Sequence, residues 1–401
     1  MQRRTRFRYA VWTILLAGGI GLGYLAINAP DALDTAAAQA PEQVEALVVA
    51  ENAPATPVTM LDRLKGDLSI INVHEHIQST RELPTLLASM DRNGIGKTVL
   101  VGSSWFTITL NPRIGFTRYD WNNEQLIEAV ELHPDRFAAW PTIDPRDPDK
   151  VKKIQDLVAR GATGVKMYLG HGYVIPYNRE YMFHTIAMDS PEMFPFYEWC
   201  EDNFIPLCFH VNPGPTKPGF AQEFIAVLQN FPDLKIISPH FILSSIRDSR
   251  LREFLLTFPN LYSDISFGHD DFLTAGIRRI SRDPEKFREI FSEFPDRFMF
   301  GTDLVMTEAS SKNVEWFTAR CQTYYDMLAK ETYTTPLVPG ITLNGLALSP
   351  ELLENILVKN FENFMALRLQ GTKITRELNR AALGIRWIDR APGQSYPPPE
   401  R

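Results

Sequence analysis

Two histidines one residue apart, His74 and His76, close the apolar run Ser69-Ile70-Ile71-Asn72-Val73. In an extended strand, side chains at i and i+2 point the same way, so the pair aims two imidazoles at one point. Two imidazoles so placed are half of a site for a divalent ion. Three later runs end in the same manner. Ile205-Pro206-Leu207-Cys208-Phe209 ends in His210, Leu234-Lys235-Ile236-Ile237-Ser238-Pro239 in His240, and Arg297-Phe298-Met299-Phe300-Gly301-Thr302 in Asp303. Imidazole nitrogen and carboxylate oxygen suit zinc, and also manganese, iron or cobalt. An ion with a free position lowers the pKa of its water to about 7 and supplies hydroxide at neutral pH.

The elements that must position these residues follow from the pattern around them. Helical periodicity separates the runs, as in Gln222 to Gln229, Ser245 to Leu256 and Pro284 to Phe294, so strand and helix alternate, which implies a parallel sheet. Eight strands are expected: Leu68 to Val73, Lys97 to Gly102, Phe137 to Thr142, Thr163 to Tyr168, Pro206 to Phe209, Leu234 to Ser238, Leu261 to Ile265 and Arg297 to Phe300. Eight such units predict an α/β fold, a closed (β/α)8 TIM barrel over residues 59–368. In that fold the chemistry sits at the C-terminal ends of the strands, where every residue named above falls.

Over residues 68–368 the chain resembles the amidohydrolase superfamily, in particular its amidohydrolase-related (type 2) branch of metal-dependent hydrolases and decarboxylases. The resemblance rests on Val73-His74-Glu75-His76, Gly164-Val165-Lys166-Met167-Tyr168, Cys208-Phe209-His210, Ser238-Pro239-His240-Phe241, Tyr262-Ser263-Asp264-Ile265-Ser266 and Phe300-Gly301-Thr302-Asp303, in this order. The segment Leu353 to Phe364 is similar to the family's terminal helix. The resemblance implies metal ligation by His74, His76, His210 and Asp303. It further implies that His240 polarises the substrate or moves a proton, and that Asp303 takes a proton from water and passes it to the leaving group. Lys166 is the residue that bridges two ions, as a carboxylated lysine, in binuclear relatives; in mononuclear ones it binds an anionic substrate or lies in the barrel. One ion is the expectation here, with zinc first in order. Glu75 alternates away from its neighbours and is not expected to ligate.

The other histidines have plainer readings. His133 stands at a predicted helix C-terminus, where a cation is favoured. His171, in the loop after the fourth strand, is placed for substrate contact, and His184 and His269 are loop residues. The loops from Leu169 to Pro191 and from Ser103 to Asn122 mix aromatics with arginines (Tyr173, Arg179, Tyr181; Trp105, Arg113, Arg118, Trp121). That mixture suits an aromatic or unsaturated carboxylate and equally suits packing on the scaffold.

The N-terminus speaks to address. Arg3, Arg4, Arg6 and Arg8 precede an uncharged apolar stretch from Tyr9 to Ala29, long enough for a transmembrane or signal-anchor helix. Arginines on that side hold the N-terminus in the cytoplasm and place the remainder on the extracytoplasmic side, with secretion after cleavage as the alternative. Residues 30–58, rich in Ala and Pro, read as a flexible linker, and residues 369–401 as a proline-rich extension. The formal charge of −7, or −11 with those four arginines set aside, argues against nucleic acid as a partner. Cys200, Cys208 and Cys321 are too few for a disulfide framework and read as buried thiols.

The functions consistent with these features are three. The first is a metal-dependent hydrolase of the amidohydrolase type, cleaving a C–N or C–O bond of a small polar substrate with a metal-bound hydroxide. The second is a non-oxidative decarboxylase of an unsaturated or aromatic carboxylate on the same ligands. The third is a non-catalytic tethered binding module. The partners expected are a small-molecule substrate, the membrane through the N-terminal helix and a possible second copy of the chain.

Overall fold

Each of the eight apolar runs forms a strand, and all eight run parallel. They are β1 (Ile70–Glu75), β2 (Ile95–Val101), β3 (Phe137–Trp140), β4 (Val165–Met167), β5 (Leu207–Phe209), β6 (Ile236–Ile237), β7 (Leu261–Asp264) and β8 (Phe298–Met299). The computed structural model describes residues 58–105, 116–168, 186–211, 220–242 and 248–366. Ladders join β1-β2-β3 and β4-β5-β6-β7-β8. Single backbone bonds complete the circle: Thr163 N–H to the Ala139 carbonyl at 3.0 Å and Lys166 N–H to that of Pro141 at 2.8 Å link β3 to β4. Val73 N–H to the Phe300 carbonyl at 2.9 Å links β1 to β8. A closed barrel leaves no open edge, so the short strands lose nothing by their length.

Alternation along the strands sorts side chains into two layers. Ile71, Val73, Val99, Val101, Trp140, Cys208, Ile237, Tyr262 and Met299 form the interior cluster, joined by Phe361 and Phe364 of the helix Asn360–Ala366. The terminal helix expected from sequence thus contributes to the barrel interior. Outward residues such as Ile70, Leu100, Phe137, Val165, Leu207 and Phe298 share a second, larger cluster with Leu86, Leu126, Ile154, Val227 and Leu328 of the helices. The three expected helices are Phe220–Asn230, Asp248–Thr257 and Pro284–Glu293, residues 243–247 lying outside the described set. A small antiparallel pair, Thr332–Tyr333 with Leu343–Asn344, is an addition that alternation of strand and helix did not foretell.

Local chemistry explains several element ends. Thr59 and Asp62 form a reciprocal capping box at the start of helix Met60–Gly66, each side chain accepting the other's backbone N–H at 3.1 Å. His133 stands at the C-terminus of the helix Tyr119–Leu132, as the sequence places it, its backbone N–H donating to the Ala129 carbonyl at 3.0 Å. Gly301, just past β8, is a close approach: a Cβ there would meet His74 Cβ at 3.0 Å and Asp264 Cβ at 3.2 Å. Gly301→Ala should therefore cost about 1–3 kcal/mol through overpacking, visible as a lowered urea midpoint.

Among the described residues no helix is long and apolar enough to cross a membrane. The stretch Tyr9 to Ala29 lies outside them, as do residues 30–57 and 367–401. The thiols of Cys200, Cys208 and Cys321 are free and buried.

Candidate metal centre

The C-terminal ends of β1, β6, β7 and β8 converge on one point. One ligand atom from each of His74, His76 and Asp303 lies within 4.8 Å of the others. His76 Nε2 is 3.1 Å and His74 Nε2 3.6 Å from Asp303 Oδ1, and His240 Nε2 is 3.5 Å from Asp303 Oδ2. Sequence reasoning thus brings four of its candidates together. His210 stands beside them outside the three-residue group, its ring centroid 5.0 Å from that of His240 and 6.2 Å from that of Tyr168. His171 and His184 fall outside the described residues, while His269 is an exposed helix cap whose ring nitrogen accepts from Asp271 N–H.

The backbone that presents Asp303 and His240 is held in an uncommon conformation. Asp303 (φ 51°) and Val305 (φ 55°) are left-handed, as are His240, Phe241 and Ile242 in succession (φ 61°, 54° and 57°). Each costs on the order of 1 kcal/mol or more, so packing must hold them. For the β6 turn, Ser263 on β7 does this: its hydroxyl donates to the Ser238 carbonyl at 2.6 Å and accepts Ile242 N–H at 3.1 Å. Phe241 is buried against Phe267, Phe287, Phe291 and Phe298. The strain is offset by apolar burial of about 2–3 kcal/mol for such a ring.

Hydrogen bonds settle which nitrogen of each ring faces the centre. His74 Nδ1 lies 2.7 Å from Asp264 Oδ2, and a carboxylate only accepts, so Nδ1 carries the proton. His240 Nδ1 lies 3.1 Å from the Ser266 carbonyl, which imposes the same tautomer. His76 is reached through a relay: Tyr168 O–H donates to the Gly102 carbonyl (2.8 Å), leaving its oxygen to accept from Ser103 Oγ (3.3 Å). Ser103 Oγ in turn accepts from His76 Nδ1 at 2.6 Å. The Nε2 lone pairs of His76 and His240 therefore face the Asp303 carboxylate, and that of His74 is shared between Asp303 and Lys166 Nζ, 3.0 Å away. Acceptors facing acceptors repel unless a cation stands between them, and the donor set of two imidazoles and a carboxylate fits a divalent ion.

Electrostatics agree. Burial, followed by the neighbouring Lys166, lowers the His74 pKa from 6.5 to about 4, outweighing the attraction of Asp303 and Asp264. Burial opposes ionisation of Asp303 too, but positive charge on His74, His76 and His240 outweighs it and holds its carboxyl well below the usual range, a charge that a bound cation would supply when the rings are neutral. Asp264 is likewise held low, its partners His74, His240 and Ser266 overcoming burial. The unfolded chain protonates His74 near pH 6.5 and the folded one only near 4. Stability of the metal-free protein should accordingly fall as pH drops through that window, by at most about 3 kcal/mol. Urea midpoints at pH 7 and pH 5 check this.

Asp264, Ser103, Ser266 and Glu75 are functional residues that sequence reasoning left without roles. Asp264 Oδ1 also accepts His240 N–H and Ser266 N–H, each at 3.0 Å, so one carboxylate orients both His74 and His240. Its position at the end of the seventh strand was the available signal. Lys166 is fully buried, its Nζ 3.0 Å from His74 Nε2 and 3.4 Å from Cys208 Sγ, and burial pushes that thiol up to about 12. Among the described residues no carboxylate pairs with Lys166. On the loop after β2, the Arg118 guanidinium lies between the rings of Trp105 and Trp121, at 4.4 and 4.9 Å. Arg113 is outside the described residues.

A family model described as Amidohydrolase (Amidohydro_2) matches residues 112–362. The match begins after β1, so the convergence of His74 and His76 on Asp303 is an observation independent of it. No curated protein matches the chain. Among solved structures, one assigned as a 2-pyrone-4,6-dicarboxylic acid hydrolase from Pseudomonas putida superposes with a TM-score of 0.51 at 14% identity, over 76% of this chain and 99% of that one. The probable 2-pyrone-4,6-dicarboxylic acid hydrolase from Acinetobacter baumannii, with citric acid bound, gives 0.50 at 14% identity over 74% and 99%. A 2,6-dihydroxybenzoate decarboxylase from Rhizobium gives 0.45 at 18% identity over 75% and 99%. The first two likenesses establish the barrel fold.

Proposed function

This chain belongs to the amidohydrolase family, whose members are metal-dependent hydrolases or decarboxylases, and on that premise we propose that it is a metal-dependent hydrolase acting on a C–N or C–O bond of a small polar substrate. The observation that carries the reading is the convergence of three Nε2 lone pairs and one ionised carboxylate at a single point. A divalent ion, zinc or else manganese, iron or cobalt, is the natural occupant; His74, His76 and Asp303 would hold it, with His210 as a further ligand. Bound there, it would acidify water and polarise the group under attack.

The chain's own residues do the rest. Asp303 has one oxygen toward His76 and the other toward His240, so it can accept a proton on one side while remaining held on the other. His240, with Nδ1 tied to Ser266, can take a proton only at Nε2, the atom facing Asp303. The pair can thus pass a proton from water to a leaving group without either side chain turning. Lys166 places a buried amine beside His74 with no carboxylate partner among the described residues, a group that a substrate anion would pair with. Arg118, at the start of the helix Tyr119–Leu132, with Trp105 and Trp121 against its guanidinium, suits a flat carboxylate.

The deciding experiment is elemental analysis of the purified protein combined with product analysis on a panel of amides, lactones, esters and aromatic carboxylates. About one ion per chain and a product pair accounting for one added water support the hydrolase. Release of carbon dioxide without water uptake replaces it by the decarboxylase. No bound metal after reconstitution removes both.

As to address, the reading is of a catalytic domain on the extracytoplasmic side, tethered by residues 1–29 with 30–58 as spacer. It is supported by the four arginines ahead of an apolar stretch. The full chain should sediment with membranes and be degraded by protease added from outside the cytoplasmic membrane, while a chain starting at Val58 should stay in the soluble fraction.

A further inference from the structure

Glu75 lies between the two histidines of β1 and is completely buried, yet it points away from the metal-binding group. Three of its four donors lie on the residues flanking Asp303. Oε1 accepts the backbone N–H of Val305 and of His76, each at 2.8 Å. Oε2 accepts the Thr302 hydroxyl at 2.7 Å and Leu304 N–H at 3.3 Å. Four donors on one side chain require an acceptor with two oxygens and no proton between them, which is a carboxylate.

The carbonyl groups of the same two residues are also held. Lys312 Nζ donates to the Leu304 carbonyl at 3.0 Å and to the Val305 carbonyl. The N–H groups of Leu304 and Val305 thus face a buried anion while their C=O groups face an ammonium. Between these grips the chain belongs to no helix or strand, and Asp303 and Val305 sit in the left-handed region. Asp303 N–H and Met306 N–H donate to the His74 and His76 carbonyls at 2.7 and 2.8 Å, and between those two bonds the charge-assisted hydrogen bonds at Leu304 and Val305 are the further restraint.

We propose that Glu75 and Lys312 are positioning residues, a backbone clamp that sets the Asp303 carboxylate at metal-binding distance from His74 and His76. Because Glu75 is covalently between those histidines, the clamp ties both halves of the site to one carboxylate: moving the β8 loop moves Asp303 relative to both rings. The proposal rests on the reading of Asp303 as a ligand.

The test is made on the full chain with cobalt(II) as probe. Affinity is measured by competition with a chelator, and coordination by the visible absorption band, for wild type, Glu75→Gln, Lys312→Met, Lys312→Arg and Asp303→Asn, well below each unfolding midpoint. Glu75→Gln and Lys312→Met should weaken binding about 10- to 100-fold and alter the band, and Lys312→Arg should restore both. A purely structural role would lower the unfolding midpoint and leave affinity and band unchanged in the folded protein, which overturns the clamp. Should Glu75→Gln fail to fold, Lys312→Met with its arginine rescue decides. An unchanged affinity and band in Asp303→Asn would instead remove Asp303 as a ligand, separating failure of that reading from failure of the clamp alone.

Discussion

Asp303→Asn should empty the metal site and abolish turnover, with affinity falling by more than about 100-fold and kcat/KM by at least roughly 1000-fold. The substitution keeps volume and removes charge. In the native site positive charge among His74, His76 and His240 is what holds this carboxyl ionised against its own burial, and with the rings neutral a cation has to supply it. A neutral amide there offers one weak acceptor and one donor. Turned toward His74 and His76, the amide NH2 donates to their Nε2 atoms and lessens the demand for a cation there, while its carbonyl oxygen faces His240. The metal-free variant should for that reason fold as well as the metal-free wild type. Elemental analysis after dialysis, with a urea titration alongside, checks both halves of the expectation. A variant that keeps its ion would show that the histidines suffice and that the carboxylate serves proton transfer alone.

His240→Asn should separate binding from chemistry. His240 Nε2 approaches Asp303 Oδ2, the oxygen not shared with His76, so its loss leaves the group His74, His76 and Asp303 complete. Metal content should remain at the wild-type level while kcat drops roughly 100- to 10,000-fold, the range for removal of one proton-transfer group. The backbone consequence is the point to watch. His240, at φ 61°, donates its N–H to Asp264, and asparagine is among the residues that tolerate the left-handed region best. Folding should therefore survive, which alanine would not guarantee. Loss of the ion in His240→Asn would instead make His240 a ligand and favour two ions, with Lys166 between them.

Much of this site is legible from sequence because barrel geometry is simple. A ligand at the C-terminal end of a parallel strand faces the same mouth as every other such ligand, whatever their separation along the chain. His74, His76, His240 and Asp303 are recognisable on that ground alone, and the family resemblance put them in order. Asp264 follows the same rule and stands in one of the segments that carry the resemblance, but its role is legible only from its bonds to His74 and His240. Ser103 and Tyr168 are different: nothing in their spacing says that they relay a hydrogen bond to His76, since that depends on β2, β4 and β1 meeting.

Glu75 marks the boundary most clearly. Alternation correctly turns it away from its neighbours, but not toward anything in particular. Strict alternation from the interior residues Ile71 and Val73 would send Glu75, not the histidines, inward; the β1–β2 register shifts between Asn72 and Glu75, and the imidazoles reach the centre. The sequence by itself determined the barrel, the family and the residue types at its mouth, because apolar period and ligand chemistry are properties of short segments. Only the tertiary structure decided which imidazole nitrogen faces inward and how a buried carboxylate on the first strand grips the loop of the eighth. The grip of Glu75 is set by hydrogen bonds between residues 227 to 230 positions apart and the His74 ring by one spanning 190, which no local pattern encodes.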